Sequence, residues 1–373
     1  MKVAVIKERR AHERRVAASP DTVKRMVGMG LEVVTEGGAG SSASFTDAAL
    51  AAAGASIVAD PAAALGDADI LLKVQRPLID AEAGIDELTY LKRGSVLIGL
   101  LQPTQNPDDV DAYARAGIAA FAMELVPRIT RAQAMDVLSS QANLAGYKAV
   151  VEAAAEFGRA FPMMMTAAGT IKAARVLVMG AGVAGLQAIA TARRLGATFI
   201  TVDEAAAHSA ETPEGYAREM GEDYQHRQRD RITEALKRTD IVICTALIPG
   251  HRAPILLTDA MLGGLAPGSV IVDLAVEAGG NVEGSRPEEI VTTPNGVQII
   301  GPLNMPSRIA VDASQLYARN LLSFLTLLVD KDHQLKIDTS DEIIRATLLT
   351  ENGAVVNPAL RPPITAEAAA PSG

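Results

Sequence analysis

The chain has 373 residues, 49% of them apolar and 21% charged. At about 100–200 residues per domain, that is material for two domains with substantial cores and excludes a disordered chain. Its 35 basic residues stand against 44 acidic ones for a net charge of −9, with 3% aromatics and no tryptophan, so nucleic acid and anionic membrane are excluded as direct partners.

The N-terminus, MKVAVIKERR, places charges directly after one short apolar run and lacks the longer apolar region of a signal peptide. Short runs rich in branched residues then read as strands over 3–6, 31–34, 70–74, 96–100 and 119–123. Ser19 and Pro20 mark the N-cap and first position of a helix that sets Val23, Met26 and Val27 on one face. A second helix is expected over 107–116. Strands separated by such helices imply parallel pairing through crossovers, so residues 1–125 form one α/β block. It carries no glycine fingerprint of its own. A long helix is expected over 139–160, where Leu144, Tyr147, Val151, Ala154, Phe157 and Phe161 recur at three- and four-residue steps.

The second block opens with a strand over 175–179, then a helix over 183–195, a strand over 199–203, a charged helix around 227–238 and a strand over 241–245. Cys244 in that last strand is the only cysteine, which rules out an internal disulfide and a thiolate metal cage and points to a reducing compartment. Strands over 270–274 and 297–300 follow. A helix over 307–329, apolar on one face, could return to the first block. No window offers about 18 uninterrupted apolar residues, so no membrane-spanning helix is expected. The tail ALRPPITAEAAAPSG reads as a disordered end or linker. The expected fold class is α/β, with two Rossmann-like domains and parallel sheets.

The stretch ARVLVMGAGVAGLQAIATARRLGATFITVDEA has the parts of a dinucleotide site in order. A strand runs into Gly180-Ala181-Gly182-Val183-Ala184-Gly185, and a helix opens at once. Gly180 permits the tight turn, Gly182 lets backbone amides approach a pyrophosphate, and Gly185 lets helix and strand pack closely. The helix N-terminus adds oriented N–H groups and partial positive charge. Asp203 ends the next strand; a carboxylate there accepts both ribose hydroxyls and repels a 2′-phosphate, which favours NAD over NADP. Glycine turns also serve plain strand–helix joints, but here the context fits on both sides.

Two polar stretches stand outside the core pattern. Residues 123–147, MELVPRITRAQAMDVLSSQANLAGY, gather Arg128, Gln133, Asp136 and Ser139 within twelve positions. By themselves they read first as a solvated interdomain loop ending in an N-capping Ser139. Residues 211–230, ETPEGYAREMGEDYQHRQRD, are either a surface loop with a charged helix start or a mobile lid. The five histidines, His12, His208, His226, His251 and His333, lack metal-ligand spacing, so no metal is expected. There is no nucleophile elbow and no Cys–His motif. Oxidising an alcohol or amine with NAD requires a proton acceptor. Hydride exchange between two nicotinamides requires only close, dry alignment of the rings.

Most of the chain resembles the NAD(H)-binding component of proton-translocating nicotinamide nucleotide transhydrogenases. The segments that carry the resemblance are KERRAHERRVAASP, KVQRP, PRITRAQAMDVLSSQANLAGY, MMTAAGT, GAGVAGLQAIATARRLGA, GYAREMGE, TALIPG, DLAVEAGGN and NMPSRIAVDAS, in that order. The resemblance implies that Arg128, Gln133, Asp136 and Ser139 surround the nicotinamide and its ribose. It puts Val183 in the pyrophosphate turn beside Gly180, Gly182 and Gly185, Asp203 at the adenosine ribose, Gly215 and Tyr216 at the tip of a mobile loop, and Gln228 and Leu247 at further nucleotide contacts. It further implies a first domain over 1–138 completed by about 330–373, a second over 139–329, and NAD(H) in the cleft between them. The implied protein is a homodimer, peripheral at the inner face of the bacterial cytoplasmic membrane and not inserted in it. Hydride passes to or from NADP(H) on a separate domain III (NADPH + NAD to NADP + NADH), and a transmembrane domain II couples the exchange to proton translocation.

One departure is visible. Family members usually carry about twenty more residues between the ribose strand and the mobile loop; here FITVDEAAAHSAETPEGY runs almost directly into it, with Glu204 where a basic residue usually follows the aspartate. In a second alignment FITVDEA is a later strand, and the ribose strand itself is missing. Either way, weaker NAD(H) binding than in a full-length relative is expected. Two other functions are open. Alanine dehydrogenases have similar domains, and Arg15 and Lys73 match positions that hold the substrate carboxylate there; this chain has IGLLQPTQ where that family places a histidine, and Glu277 where it has an aspartate. A non-catalytic NAD-binding subunit is the third reading.

Overall fold

The computed structural model describes residues 1–79, 82–200, 222–247, 251–330 and 332–360. In chain order the elements are β1 Lys2–Val5, α1 Pro20–Gly28, β2 Glu32–Glu36, α2 Asp47–Ala52, β3 Ser56–Val58, α3 Pro61–Leu65, β4 Ile70–Gln75, β5 Val96–Leu100, α4 Pro107–Ala116, β6 Ala119–Ala122 and α5 Val137–Glu156. There follow β7 Met164–Thr166, β8 Gly169–Ile171, β9 Arg175–Met179, α6 Val183–Arg194, β10 Thr198–Phe199, α7 Glu222–Leu236, β11 Ile241–Cys244, α8 Asp259–Leu262, β12 Val270–Asp273, β13 Ile290–Thr292 and β14 Gln298–Ile300. The chain closes with α9 Ala310–Leu328, α10 Glu342–Thr347, β15 Leu348–Glu351 and β16 Ala354–Val355. The chain divides into two compact units, Met1–Val137 with Ala310–Gly373, and Leu138–Ile309.

The first unit is built on a sheet in the order β16-β15-β6-β5-β4-β1-β2-β3. Strands β1 to β6 are parallel, and β15 and β16 add antiparallel to the β6 edge. Alternation along each strand feeds two layers: Val3 and Val5 enter one core cluster, Ala4 and Ile6 the other. Ser19 caps α1 and Thr22 reciprocates, with Pro20 at the first position, as the sequence predicts. Helix α9 belongs to this unit. Its Tyr317, Leu321, Phe324, Leu325 and Leu328 are buried in the same cluster as Val3, Val5 and Phe121, and Phe324 meets Phe121 edge-on at 5.4 Å. The sequence division at 139–329 places this helix in the second domain; its apolar stripe is spent on the first unit's sheet instead.

The second unit's sheet runs β10-β9-β11-β12-β14-β13, parallel except for β13. Val176, Ile241, Ile243, Val270 and Val272 face one core, and Leu177, Met179, Val242, Cys244 and Ile271 the other. Strand β10 pairs with β9 through Thr198 and Phe199, so the position beside the first strand is filled, with two residues. In the first unit β3 lies outside β2; in the second, no strand lies outside β10 among the described residues. A separate two-stranded ribbon, β7 with β8, carries exposed Met164, Met165 and Ile171.

Among the described residues, no helix is long and apolar enough to cross a membrane, and no group of His, Cys, Asp and Glu could hold a metal ion. The tail beyond residue 360 lies outside the described residues.

Candidate nucleotide site

The order of strands reverses at β9, which has β10 on one side and β11 on the other. The crevice outside the carboxyl ends of β9 and β11 is where an open α/β sheet binds ligands. Gly180 leaves β9 there, and Thr245 leaves β11; the Thr245 N–H donates to the Met179 carbonyl at 2.8 Å.

The three glycines of the turn do different things. Gly180 has φ of +117°, and a Cβ on it would lie 2.3 Å from Thr245 Oγ1. A Cβ on Gly185 would lie 1.8 Å from the Gly180 carbonyl oxygen. Both positions are fixed by the chain's own packing. At Gly182 the backbone is extended, with φ −70° and ψ −174°, and an added Cβ would meet none of the described residues within 4 Å. Its lack of a side chain answers no contact among the described residues. Gly182 is the N-cap of α6 and offers no side-chain cap, so the first N–H groups of a twelve-residue helix face that open space with the positive end of the helix dipole. A phosphate diester fits this position by charge, donors and room.

Helix α5 is seated against the same turn. A Cβ on Gly146 would lie 2.0 Å from the Ala184 carbonyl oxygen, and Asn143 Nδ2 donates to Gln187 Oε1 at 3.3 Å. The ANLAGY segment therefore belongs to the head of α6. Ser139 lies within the first turn of α5, half-buried, because that helix begins at Val137 and not at 139; it is not an N-cap. Val183 and Leu247 are exposed apolar residues at the carboxyl end of this sheet, 38% and 42% accessible.

Arg128, Gln133 and Asp136 lie in the first unit, on the segment joining β6 to α5. Thr130–Met135 is a 3₁₀ turn with Ala132 and Met135 buried under it, while Arg128 and Gln133 are exposed and Asp136 half-buried. The C-terminal part of the unit holds this turn on two anchors. Asn320 Nδ2 of α9 donates to the Ala134 carbonyl at 2.8 Å. Arg131 makes a two-pronged ion pair with Asp341 at 2.7 and 2.9 Å, and Asp341 also caps α10 through the Ile343 N–H. The hydrogen bonds from Arg131 hold the Asp341 carboxyl down at about 2.

Glu124, four residues before Arg128, carries no signal in the sequence pattern. Its carboxylate accepts the Leu101 and Gln102 N–H groups, and burial pushes its pKa up to about 7. Arg15 and Lys73 are deeply buried in the first unit. Arg15 forks onto Glu13 at 2.8 and 2.7 Å, and Lys73 Nζ sits 3.1 Å from both Glu8 and Glu87. Glu277 accepts the Asn304 N–H at 2.5 Å. Asp203, Gly215 and Tyr216 lie outside the described residues, and Gln228 is on α7 with its side chain outside them.

The alanine dehydrogenase/PNT N-terminal domain matches residues 4–145, and the C-terminal domain of the same family matches residues 149–358. The chain belongs to the alanine dehydrogenase/PNT family. It is similar to the first of the separate alpha-subunit polypeptides of the NAD(P) transhydrogenase of Rhodospirillum rubrum, 54% identical over 381 residues that cover 96% of this chain and 99% of the relative. Alanine dehydrogenase of Halomonas elongata is 31% identical, covering 91% of each chain. Among solved structures, the transhydrogenase of Sinorhizobium meliloti matches with a TM-score of 0.85 at 47% identity, covering 95% of this chain and all of the other. An L-alanine dehydrogenase matches at 0.79 and 27% identity, covering 96% and 98%. An alignment of 381 positions over 96% of a 373-residue chain leaves about 20 positions without a counterpart in this chain. That agrees in size with the shortened segment read from the sequence.

Proposed function

We propose that this family member is the NAD(H)-holding component of a proton-translocating transhydrogenase. Bound NAD(H) supplies the nicotinamide carbon that takes or gives the hydride. The observation that carries the reading is the glycine turn, where Gly180 and Gly185 are demanded by packing while Gly182, at the head of α6, stands clear of the described residues. The higher identity to transhydrogenase subunits than to alanine dehydrogenases supports the same choice.

In this reading the α6 amides at Gly182, Val183 and Gly185 bind the pyrophosphate, Asp203 takes the adenosine ribose hydroxyls, and Leu247 and Gln228 make further contacts. Arg128, Gln133, Asp136 and Ser139 orient the nicotinamide and its ribose. Gly215 and Tyr216 close over the nucleotide and exclude water. None of these side chains is asked to move a proton: NADPH loses a hydride and NAD gains it, so atoms and charge balance with no further acceptor. NADP(H) sits on a separate domain III, a transmembrane domain II couples the exchange to proton movement, and the working form is a homodimer docked at the inner face of the cytoplasmic membrane. The shortened sequence between Asp203 and Gly215 is the ground for expecting weaker NAD(H) binding than in a longer relative.

Mixing the chain with NADPH-loaded domain III and an NAD analogue tests the reading: rapid reduction of the analogue is expected. Alanine-dependent NADH formation by the chain alone would replace this reading with an amino-acid oxidoreductase. Neither activity, with NADH still bound, would make it a non-catalytic subunit.

A further inference from the structure

Strands β11 and β12 are parallel neighbours that end level with each other, Cys244 opposite Asp273. After Asp273 the chain turns through Val276–Ala278 and two left-handed glycines, Gly279 at φ +98° and Gly280 at φ +83°, and returns at Asn281. The Asp273 carboxylate, wholly buried, organises this return. Its Oδ1 accepts the Ala275 N–H at 3.0 Å, and its two oxygens accept the Asn281 N–H at 3.2 and 3.0 Å. Gly280 leaves room for it, since a Cβ there would lie 2.8 Å from Asp273 Oδ2.

Held in this way, the buried Asn281 side chain reaches across to the segment that leaves β11. Its Oδ1 accepts the Ala246 N–H at 3.0 Å, and its Nδ2 donates to the Ala246 carbonyl at 2.9 Å and to the Pro254 carbonyl at 2.8 Å. One primary amide thus pairs with both polar groups of Ala246, as a neighbouring strand would, and also ties down the returning segment at Pro254. Ala246 stands between Thr245, whose hydroxyl lies against Gly180, and Leu247 at the mouth of the crevice. Only an amide offers a donor and an acceptor in this arrangement: a carboxylate would set oxygen against two carbonyls, and an alkyl group would leave three half-buried backbone polar atoms without this partner.

We propose that Asn281 is a positioning residue for NAD(H): it fixes the backbone at Ala246, and through it Thr245 and Leu247, so that the glycine turn and the segment after β11 form one rigid wall of the nucleotide crevice. The proposal rests on the assignment of that crevice to NAD(H). Asn281 touches no nucleotide and takes no part in hydride transfer.

Asn281→Asp and Asn281→Ala are compared with the unaltered chain by NADH titration and by steady-state reduction of an NAD analogue with domain III and NADPH. The expected result is a Kd for NADH and a KM for the analogue raised by about tenfold or more, with kcat at saturating nucleotide within about twofold. Unchanged Kd and KM in a folded variant overturn the proposal, as does a fall in kcat alone. Where a variant does not fold, hydrogen exchange on the unaltered chain decides: NADH is expected to slow the Ala246, Leu247, Asn281 and Val282 amides together, and protection of the first two alone refutes the coupling. Failure of the unaltered chain to bind NADH would instead defeat the assignment of the crevice.

Discussion

Replacing Gly182 with alanine separates a nucleotide role from a structural one. The added methyl meets none of the described residues within 4 Å, and φ of −70° is open to any residue. Alanine at an N-cap is less favourable than glycine by about 0.5–1 kcal/mol, and the lost freedom of the unfolded chain returns about 0.4–1 kcal/mol. The net change in stability is therefore within about 1 kcal/mol. Binding is another matter. In the proposed nucleotide site the methyl stands where a phosphate approaches the α6 amides, and losing one hydrogen bond to a charged group costs about 1.5–3 kcal/mol, which is about 10- to 100-fold in NADH affinity. Gly185→Ala is the contrasting control: its Cβ would lie 1.8 Å from the Gly180 carbonyl oxygen, so α6 must move off β9 and the fold itself suffers. Urea unfolding and NADH fluorescence titration on both variants check this. A well-folded Gly182→Ala chain that binds NADH as tightly as its parent would refute the assignment of the turn to the pyrophosphate.

Glu124 predicts a pH dependence. Its carboxyl is raised by burial from an ordinary 4.5 to about 7, so the folded state holds the proton more tightly than the unfolded one. The stability it contributes is fully present below pH 4.5 and is lost as pH rises through 7; Glu124→Gln removes that decline, and parallel stability–pH curves for parent and variant would contradict the assignment. Lys73→Met leaves Glu8 and Glu87 buried without their shared cation, and loss of about 3–5 kcal/mol is expected by denaturant unfolding. A change below about 1 kcal/mol would show that solvent reaches the cluster. Cys244 is wholly buried, and burial pushes its thiol well up, so a thiol reagent at about pH 8 should label it only upon unfolding; rapid labelling of the native chain would sink this.

Local chemistry made parts of the fold legible in the sequence. Ser19-Pro20 announced α1, and the glycine turn announced the join of β9 to α6, because caps and tight turns are decided by a few adjacent residues. The Asn352-Gly353 pair, both left-handed between β15 and β16, is an equally local hairpin signal, but its strands are too short to show alternation and were not expected from the sequence. The allegiance of α9 was readable only as an alternative: its apolar stripe allowed a return to the first block, while the division at 329 put it in the second, because a stripe demands burial but names no partner. The ribbon β7–β8 escaped because its residues are exposed on both faces and carry no period-two pattern. In the candidate site, the glycines were found by motif. The anchors Asn320, Asp341 and Asn281 were not, since each meets its target only after more than thirty residues of chain have folded.

Isotope transfer tests the central claim most directly. Domain III is loaded with NADPH carrying deuterium in the transferred position at nicotinamide C4 and mixed with this chain and NAD in ordinary water. Direct hydride transfer predicts one deuterium per molecule of NADH formed and none released to solvent. Loss of the label to water, or NADH formation that depends on alanine and not on domain III, would contradict it.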